Sequence, residues 1–166
     1  MRIKRFFKHI FCGPWRVRLA FPKRSLKAIE AAISGSERSH LGELRFVVEH
    51  ALDLGELWRD VTPRQRAIEV FSRCRVWDTE QNSGVLIYLL LADRQVEIVA
   101  DRGIHARVGD AVWGDICRGM ETRFRGGEFE LGVVEGIAAI TSLLQRHFPA
   151  GDTENPNEMT DAPVVL

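Results

Sequence analysis

Asp78, Glu80 and Asn82 alternate along one short stretch of this chain, and a further acid, Asp101, follows beyond a long apolar run. Hard oxygen donors of this kind suit a divalent cation such as calcium, which takes roughly six to eight oxygens. The carboxylates, the Asn82 carbonyl and nearby backbone oxygens could supply them. The same residues have a purely structural use: Asp78 caps the 78–82 turn, Glu80 is solvated, and Asp101 pairs with Arg102 or another surface base.

Little else in the sequence points to a reaction. His40, His50, His105 and His147 show neither an HExxH motif nor another paired spacing, which argues against zinc. No G-x-S-x-G, Walker loop or G-x-G-x-x-G occurs, so neither a nucleotide nor an organic cofactor is expected. Cys12, Cys74 and Cys117 are far apart and odd in number, which fits a reducing compartment, and Cys74 and Cys117, on or beside predicted helix core faces, read as buried, inert thiols. Asp93-Arg94 reads as a turn ion pair. Trp77 and Trp113 read as packing residues, and Trp58, in a loop between Glu56 and Arg59, as the candidate for lining a partner surface.

Positioning the acids falls to the segment around them. Gly84 introduces Val85 to Leu91, an apolar run too short for an isolated buried helix and too continuous for a half-exposed strand, hence a central strand. Val96 to Ala100 follows so soon that it must return as the antiparallel partner in a tight hairpin. Pairing Ala92 with Gln95 sets Asp101 opposite Leu86 and Gly103 opposite Gly84, which gathers Asp78, Glu80 and Asn82 near Asp101 and brings Asp110 within range. Before the hairpin, periodicity predicts a helix from Pro22 to Ile33 stopped by Gly35 and a strand from Glu43 to His50. Residues 51–61 read as a connection. A second helix is capped by Thr62-Pro63, with Arg64, Arg66 and Arg73 largely outside. Two more helices follow, Val112 to Phe124 and Val133 to Leu144, separated by Gly126-Gly127. The order α-β-α-β-β-α-α predicts an α/β protein: a three-layer α/β/α sandwich, Rossmann-like, on a small mixed sheet with a central β-hairpin.

The chain has 23 Lys+Arg and 23 Asp+Glu, and a formal net charge of zero removes the global electrostatic case for nucleic acid. The charge is unevenly placed, because nine bases precede the first acid, Glu30. Ile3, Phe6, Phe7, Ile10 and Phe11 recur at helical spacing, with Arg2, Lys4, Arg5, Lys8 and His9 opposite. Such a short basic amphipathic helix can lie on an anionic leaflet, the membrane-contact candidates being Ile3, Lys4, Arg5, Phe6, Phe7, Lys8, Ile10 and Phe11. Packing of its phenylalanines on the domain body is the alternative. Lys8 and His9 interrupt the apolar stretch of a signal peptide, and no run approaches a spanning helix. Residues 1–21 thus read as a basic amphipathic segment, 22–149 as the α/β domain, and 150–166 as an acidic, poorly ordered tail.

Residues 77–104 (WDTEQNSGVLIYLLLADRQVEIVADRGI) resemble the TPM-domain family, through Asn82-Ser83-Gly84, the apolar strand, the Asp93-Arg94 hairpin, the alternating strand Val96 to Ala100 and the exit at Gly103. More loosely, the resemblance extends from about Leu26 to Leu144. It implies a Rossmann-like sandwich, with calcium binding or weak acid-phosphatase activity as family traits. The sequence departs from the family pattern in lacking its signal peptide, its spanning helix with Gly-rich tail, and the Asp-containing segment before the first helix, here Ala20-Phe21-Pro22. The resulting expectation is a non-catalytic accessory or interaction domain, cytoplasmic and peripheral on the inner membrane face, whose partner is an anionic membrane surface or a membrane protein. The alternative is a calcium- or magnesium-dependent phosphatase-like hydrolase.

Overall fold

The computed structural model describes residues 3–151 and 159–166. Its centre is β2 (Val85–Leu90), every residue of which is buried, as an apolar run covered on both faces should be. β1 (Leu44–Glu49) lies parallel to it with Leu44 opposite Val85 and Glu49 opposite Leu90. β3 (Gln95–Ala100) is antiparallel on the other side, giving an order β3-β2-β1-β4 in a mixed four-stranded sheet.

The hairpin register differs from the expected one by two residues. Leu90 faces Gln95 and Val85 faces Ala100, so Asp101 stands beside Gly84 rather than Leu86, its N–H donating to the Gly84 carbonyl at 2.8 Å. A type I′ turn needs positive φ at both central positions and a type II′ turn at the first, which Asp-Arg supplies poorly. The chain instead turns over Leu91–Arg94, closed by a hydrogen bond from the Arg94 N–H to the Leu91 carbonyl at 3.1 Å, with Arg94 alone at φ 53°. A slip of two preserves the face on which every side chain lies, so the acids keep their end of the sheet.

Helices cover both faces. On one, α3 (Lys23–Glu37), α7 (Asp110–Arg125) and α8 (Phe129–His147) enclose a core that includes Phe21, Ile29, Phe46, Ile87, Phe124 and Ile137. On the other, α5 (Pro63–Arg73) and the short α4 (Leu54–Trp58) cover Val47, Leu86, Tyr88 and Leu90. α6 (Arg102–Val108) leads from β3 into α7, while α1 (Ile3–Ile10) and α2 (Trp15–Ala20) precede α3. Gly35 does not stop α3, which runs on to Glu37. Glycine costs a helix only about 1 kcal/mol, and packing against α8 outweighs it. That contact includes a hydrogen-bond chain in which Ser36 Oγ lies 2.7 Å from His40 Nε2 and 2.6 Å from Thr141 Oγ1.

α5 starts as expected, Thr62 and Gln65 forming a reciprocal capping box with Pro63 behind it. α4 forms within the expected connection because Asp53 and Glu56 make a second such box. Arg66, expected outside, is buried: Glu49 takes its Nε and Nη2 at 2.9 and 2.7 Å, and Glu56 its Nη1 at 2.8 Å. Trp77 is exposed, whereas Trp113 is buried as expected.

The expected solvated end is corrected in part. Residues 152–158 lie outside the described residues, but residues 159–166 return to the sheet. β4 (Val164–Val165) pairs parallel with Val47 and Val48, and the Leu166 N–H donates to the Val48 carbonyl at 2.9 Å. The open edge of β1 explains this: its unpaired carbonyl and N–H groups need partners.

Candidate functional site

Two regions follow from the residues singled out in the sequence. The first is the sheet end where β3 meets α6. Asp101 caps α6, one carboxylate oxygen accepting from the Arg102 N–H at 2.7 Å. Arg102 Nε donates to Asn82 Oδ1 at 3.3 Å, so Asn82 and Asp101 are drawn together around one arginine. Asn82 has φ 51°, and its carbonyl accepts from the Ile104 N–H at 3.3 Å. Gly103 makes this approach possible, since a Cβ there would lie 2.5 Å from the Asn82 carbonyl oxygen. The second Asp101 oxygen is buried and has no hydrogen-bond partner among the described residues.

Asp78 and Glu80 are exposed in the loop before β2. Thr79, rather than Asp78, ties that loop down, its hydroxyl accepting from the Ser83 N–H at 3.0 Å. Asp110 is exposed and faces His105 at 3.7 Å. Among the described residues, no three Asp, Glu, His or Cys side chains gather closely enough to hold a metal ion. Asn82 and Asp101 therefore supply the only preassembled part of the predicted cation site.

The second region is the outer surface of α1 and α2. α1 sits on the body through Arg5, Phe6 and His9, so two of its inward groups come from the polar face of the predicted amphipathic helix. Arg5 Nε donates to Asp93 Oδ2 at 2.9 Å, and His9 Nε2 faces the same oxygen at 3.3 Å. The Leu52 N–H donates to His9 Nδ1 at 3.0 Å, which leaves the ring proton on Nε2, toward Asp93. Burial pushes the Asp93 carboxyl up, but the hydrogen bonds from His9 and Arg5 and the Arg5 charge outweigh it and hold the group below the usual carboxylate range. Asp93 thus pairs with α1 rather than with Arg94, correcting the expected turn ion pair.

This docking leaves Ile3, Phe7, Ile10 and Phe11 exposed, with Trp15 and Leu19 of α2 exposed as well. Phe11 retains 69% of its surface and Leu19 73%, so six large apolar side chains stand exposed on two neighbouring short helices and the turn between them. Phe7 stacks on Phe11 at 6.3 Å, and the Arg16 guanidinium lies 5.5 Å from the Trp15 ring. Of the eight predicted membrane-contact residues, Arg5 and Phe6 face the body, while Ile3, Lys4, Phe7, Lys8, Ile10 and Phe11 are exposed. Trp15, expected beside the amphipathic helix, does belong to this face; sequence reasoning missed Leu19 and Arg94, and the i, i+4 spacing of Leu19 from Trp15 was the available signal.

No curated protein sequence matches the chain. Among solved structures it is similar to the BA42 protein of the psychrophilic bacterium Bizionia argentinensis, with 27% identity and a TM-score of 0.75 over 86% of this chain and 93% of that one. It is also similar in fold to the N-terminal domain of a P. gingivalis protein, at 21% identity and a TM-score of 0.56, over 71% of this chain and 72% of that one. The TPM domain matches residues 20–143, a span that takes in β1 to β3 and all of the Asn82–Asp101 region. By that match the chain belongs to the TPM-domain family.

Proposed function

We propose that this domain is a non-catalytic accessory module that docks on an anionic membrane surface through the outer face of α1 and α2, presenting its α/β body to a membrane-protein partner. One observation carries the reading: α1 is fixed to the body by Arg5 and His9, so Ile3, Phe7, Ile10 and Phe11 are left exposed among bases while Phe6 alone packs inward. Phe7, Phe11 and Trp15 supply apolar depth at the headgroup level, and Lys4, Lys8, Arg16 and Arg18 each add about 1 kcal/mol on an anionic leaflet. Among the described residues no helix is long and apolar enough to cross a membrane. Contact in this reading is peripheral, on an inner membrane face.

Flotation with phosphatidylglycerol-containing vesicles tests it. The parent chain is expected to float, and a Phe7→Ser/Phe11→Ser/Trp15→Ser variant to remain in the soluble fraction. All three side chains are exposed, so the fold should survive, which circular dichroism checks. Equal recovery of both proteins would remove the proposal.

A second reading, a divalent-cation site serving a phosphatase-like reaction, is supported by the buried, unpartnered oxygen of Asp101. A cation there would complete the hydrogen-bonding needs of that carboxylate, with Asn82 beside it and Asp78 and Glu80 reaching in from the loop. Calcium titration should then shift the amide resonances of residues 78–84 and 101–104. An unchanged spectrum at millimolar calcium ends this reading.

A further inference from the structure

We propose that the groove between α1, α2 and the β2–β3 turn seats the phosphomonoester headgroup of an anionic lipid, an inference that rests on the membrane docking above and names its ligand. The groove has a volume of about 670 Å³ and is lined by Lys4, Lys8, Arg16 and Arg94, with Phe7 and Phe11 as its apolar wall. Among the described residues its one carboxylate is Asp93, which is already committed, its Oδ2 facing Arg5 Nε at 2.9 Å and His9 Nε2 at 3.3 Å. Among the described residues, no carboxylate lies within ion-pair distance of any of the four lining bases. Four cations therefore share a concave surface without compensation, a state that an anionic ligand relieves.

The chemistry of the four bases narrows the ligand. Arg16 and Arg94 carry planar forks suited to bidentate pairing with phosphate oxygens, while Lys4 and Lys8 act as point charges. A phosphate monoester offers three free oxygens and close to two negative charges at neutral pH, whereas a diester offers two oxygens and one charge. The monoester matches this donor set better. Arg16 and Arg94 also border the adjoining groove of about 360 Å³ that runs past Trp15 and Leu19. A headgroup held at these arginines thus has apolar side chains on both flanks for its acyl chains, which a soluble phosphate would leave unused. Arg94 lies at φ 53°, a conformation in which Gly or Asn is the usual occupant, and it makes no side-chain hydrogen bond or ion pair among the described residues.

The experiment compares the full chain on phosphatidylcholine vesicles of matched surface charge containing either phosphatidic acid or phosphatidylglycerol. Partition is expected to be about fivefold stronger on phosphatidic acid, the worth of one well-placed cation. Arg94→Gln, an exposed turn substitution, should weaken partition on both vesicles by the loss of one charge but lose more on phosphatidic acid, so that the preference disappears. Equal partition of the parent on the two vesicles overturns the headgroup inference but keeps the membrane docking. Failure to bind either vesicle overturns both. Perturbation of the Arg16 and Arg94 resonances by glycerol 3-phosphate, without vesicle binding, overturns the lipid assignment in favour of a soluble phosphate.

Discussion

The Arg5 guanidinium and the Asp93 carboxylate, 88 positions apart, meet at 2.9 Å and decide which side of α1 faces the body. Hydrophobic patterning alone would turn the helix over, burying Phe7, Ile10 and Phe11. Arg5, His9 and the Leu52 N–H form a polar seat that the opposite face cannot satisfy, because Asp93 would then be buried against apolar side chains without a partner.

Asp93→Asn should therefore loosen α1. It leaves Arg5 and His9 facing a neutral amide, and the expected cost is about 1–3 kcal/mol in urea unfolding. Amide exchange across residues 4–10 should accelerate far more than exchange in β2. Unchanged protection of α1 would show that Phe6 and Cys12 hold the helix without the ion pair.

The buried cluster at the end of β1 is a different case. Arg66 joins Glu49, Glu56 and Glu69, and the Tyr88 hydroxyl donates to Glu49 at 2.5 Å. Burial raises the tyrosine hydroxyl above its ordinary range, the adjacent Glu49 carboxylate adding to the effect, so Tyr88 stays protonated and serves as a donor. Arg66→Met strips the carboxylates of their cation and should cost about 3–5 kcal/mol. Tyr88→Phe removes one neutral donor and should cost about 1–2 kcal/mol. Denaturant midpoints at constant m-value distinguish the two. Similar losses from both variants would contradict the dominance of the ion pairs.

Gly103 and Gly119 should respond to alanine in opposite directions. A Cβ at Gly103 meets the backbone carbonyls of Asn82 and Gln81 at 2.5 and 3.0 Å, and backbone cannot swing aside as a side chain can. Gly103→Ala should destabilise by about 1–3 kcal/mol and perturb the 80–84 resonances. Gly119 lies exposed within α7 with nothing within 4 Å of the added carbon. Gly119→Ala should stabilise by up to about 1 kcal/mol through helix propensity and reduced unfolded-state freedom. Thermal unfolding of the two variants checks both signs.

What could be read from the sequence was whatever local chemistry decides. Thr62-Pro63 announced α5, and the apolar run from Val85 announced a central strand, because capping and burial on both faces leave local marks. Asp53 and Glu56 carried an equally local mark for α4 that the reading of residues 51–61 as a connection overlooked. Arg66 was misplaced because its three carboxylate partners come from β1, α4 and its own helix, and only the first two decide that it is buried. The orientation of α1 and the return of residues 159–166 to the sheet depend on partners distant in sequence, with no periodicity to reveal them. At the predicted cation site, the hairpin brought Asn82 and Asp101 together as argued. Asp78 and Glu80 stayed in solvent, because Thr79 rather than Asp78 closes the loop that carries them.

Glu37 should make the stability of the protein fall with rising pH above neutrality. Burial pushes its carboxyl up to about 9 against an ordinary value of 4.5; the Leu44 N–H pulls the other way, and Glu43 and Asp161 push it further up. Between those two values the folded chain holds a proton that the unfolded chain has lost, so stability decreases as pH rises, with a slope approaching about 1.4 kcal/mol per pH unit. His40 opposes this at the acid end. Burial lowers it to about 4 from 6.5, so it favours folding increasingly as pH rises to 6.5 and no further. The two effects offset each other up to that point, and the Glu37 slope emerges alone between about 6.5 and 9. Glu37→Gln keeps an oxygen for the Leu44 N–H and a donor toward Asp161 but cannot ionise. Its unfolding free energy should stay flat in that window and exceed the parent's at pH 8, with the gap closing toward acid. Parallel curves for parent and variant would mean that the Glu37 carboxyl is ionised in the folded protein.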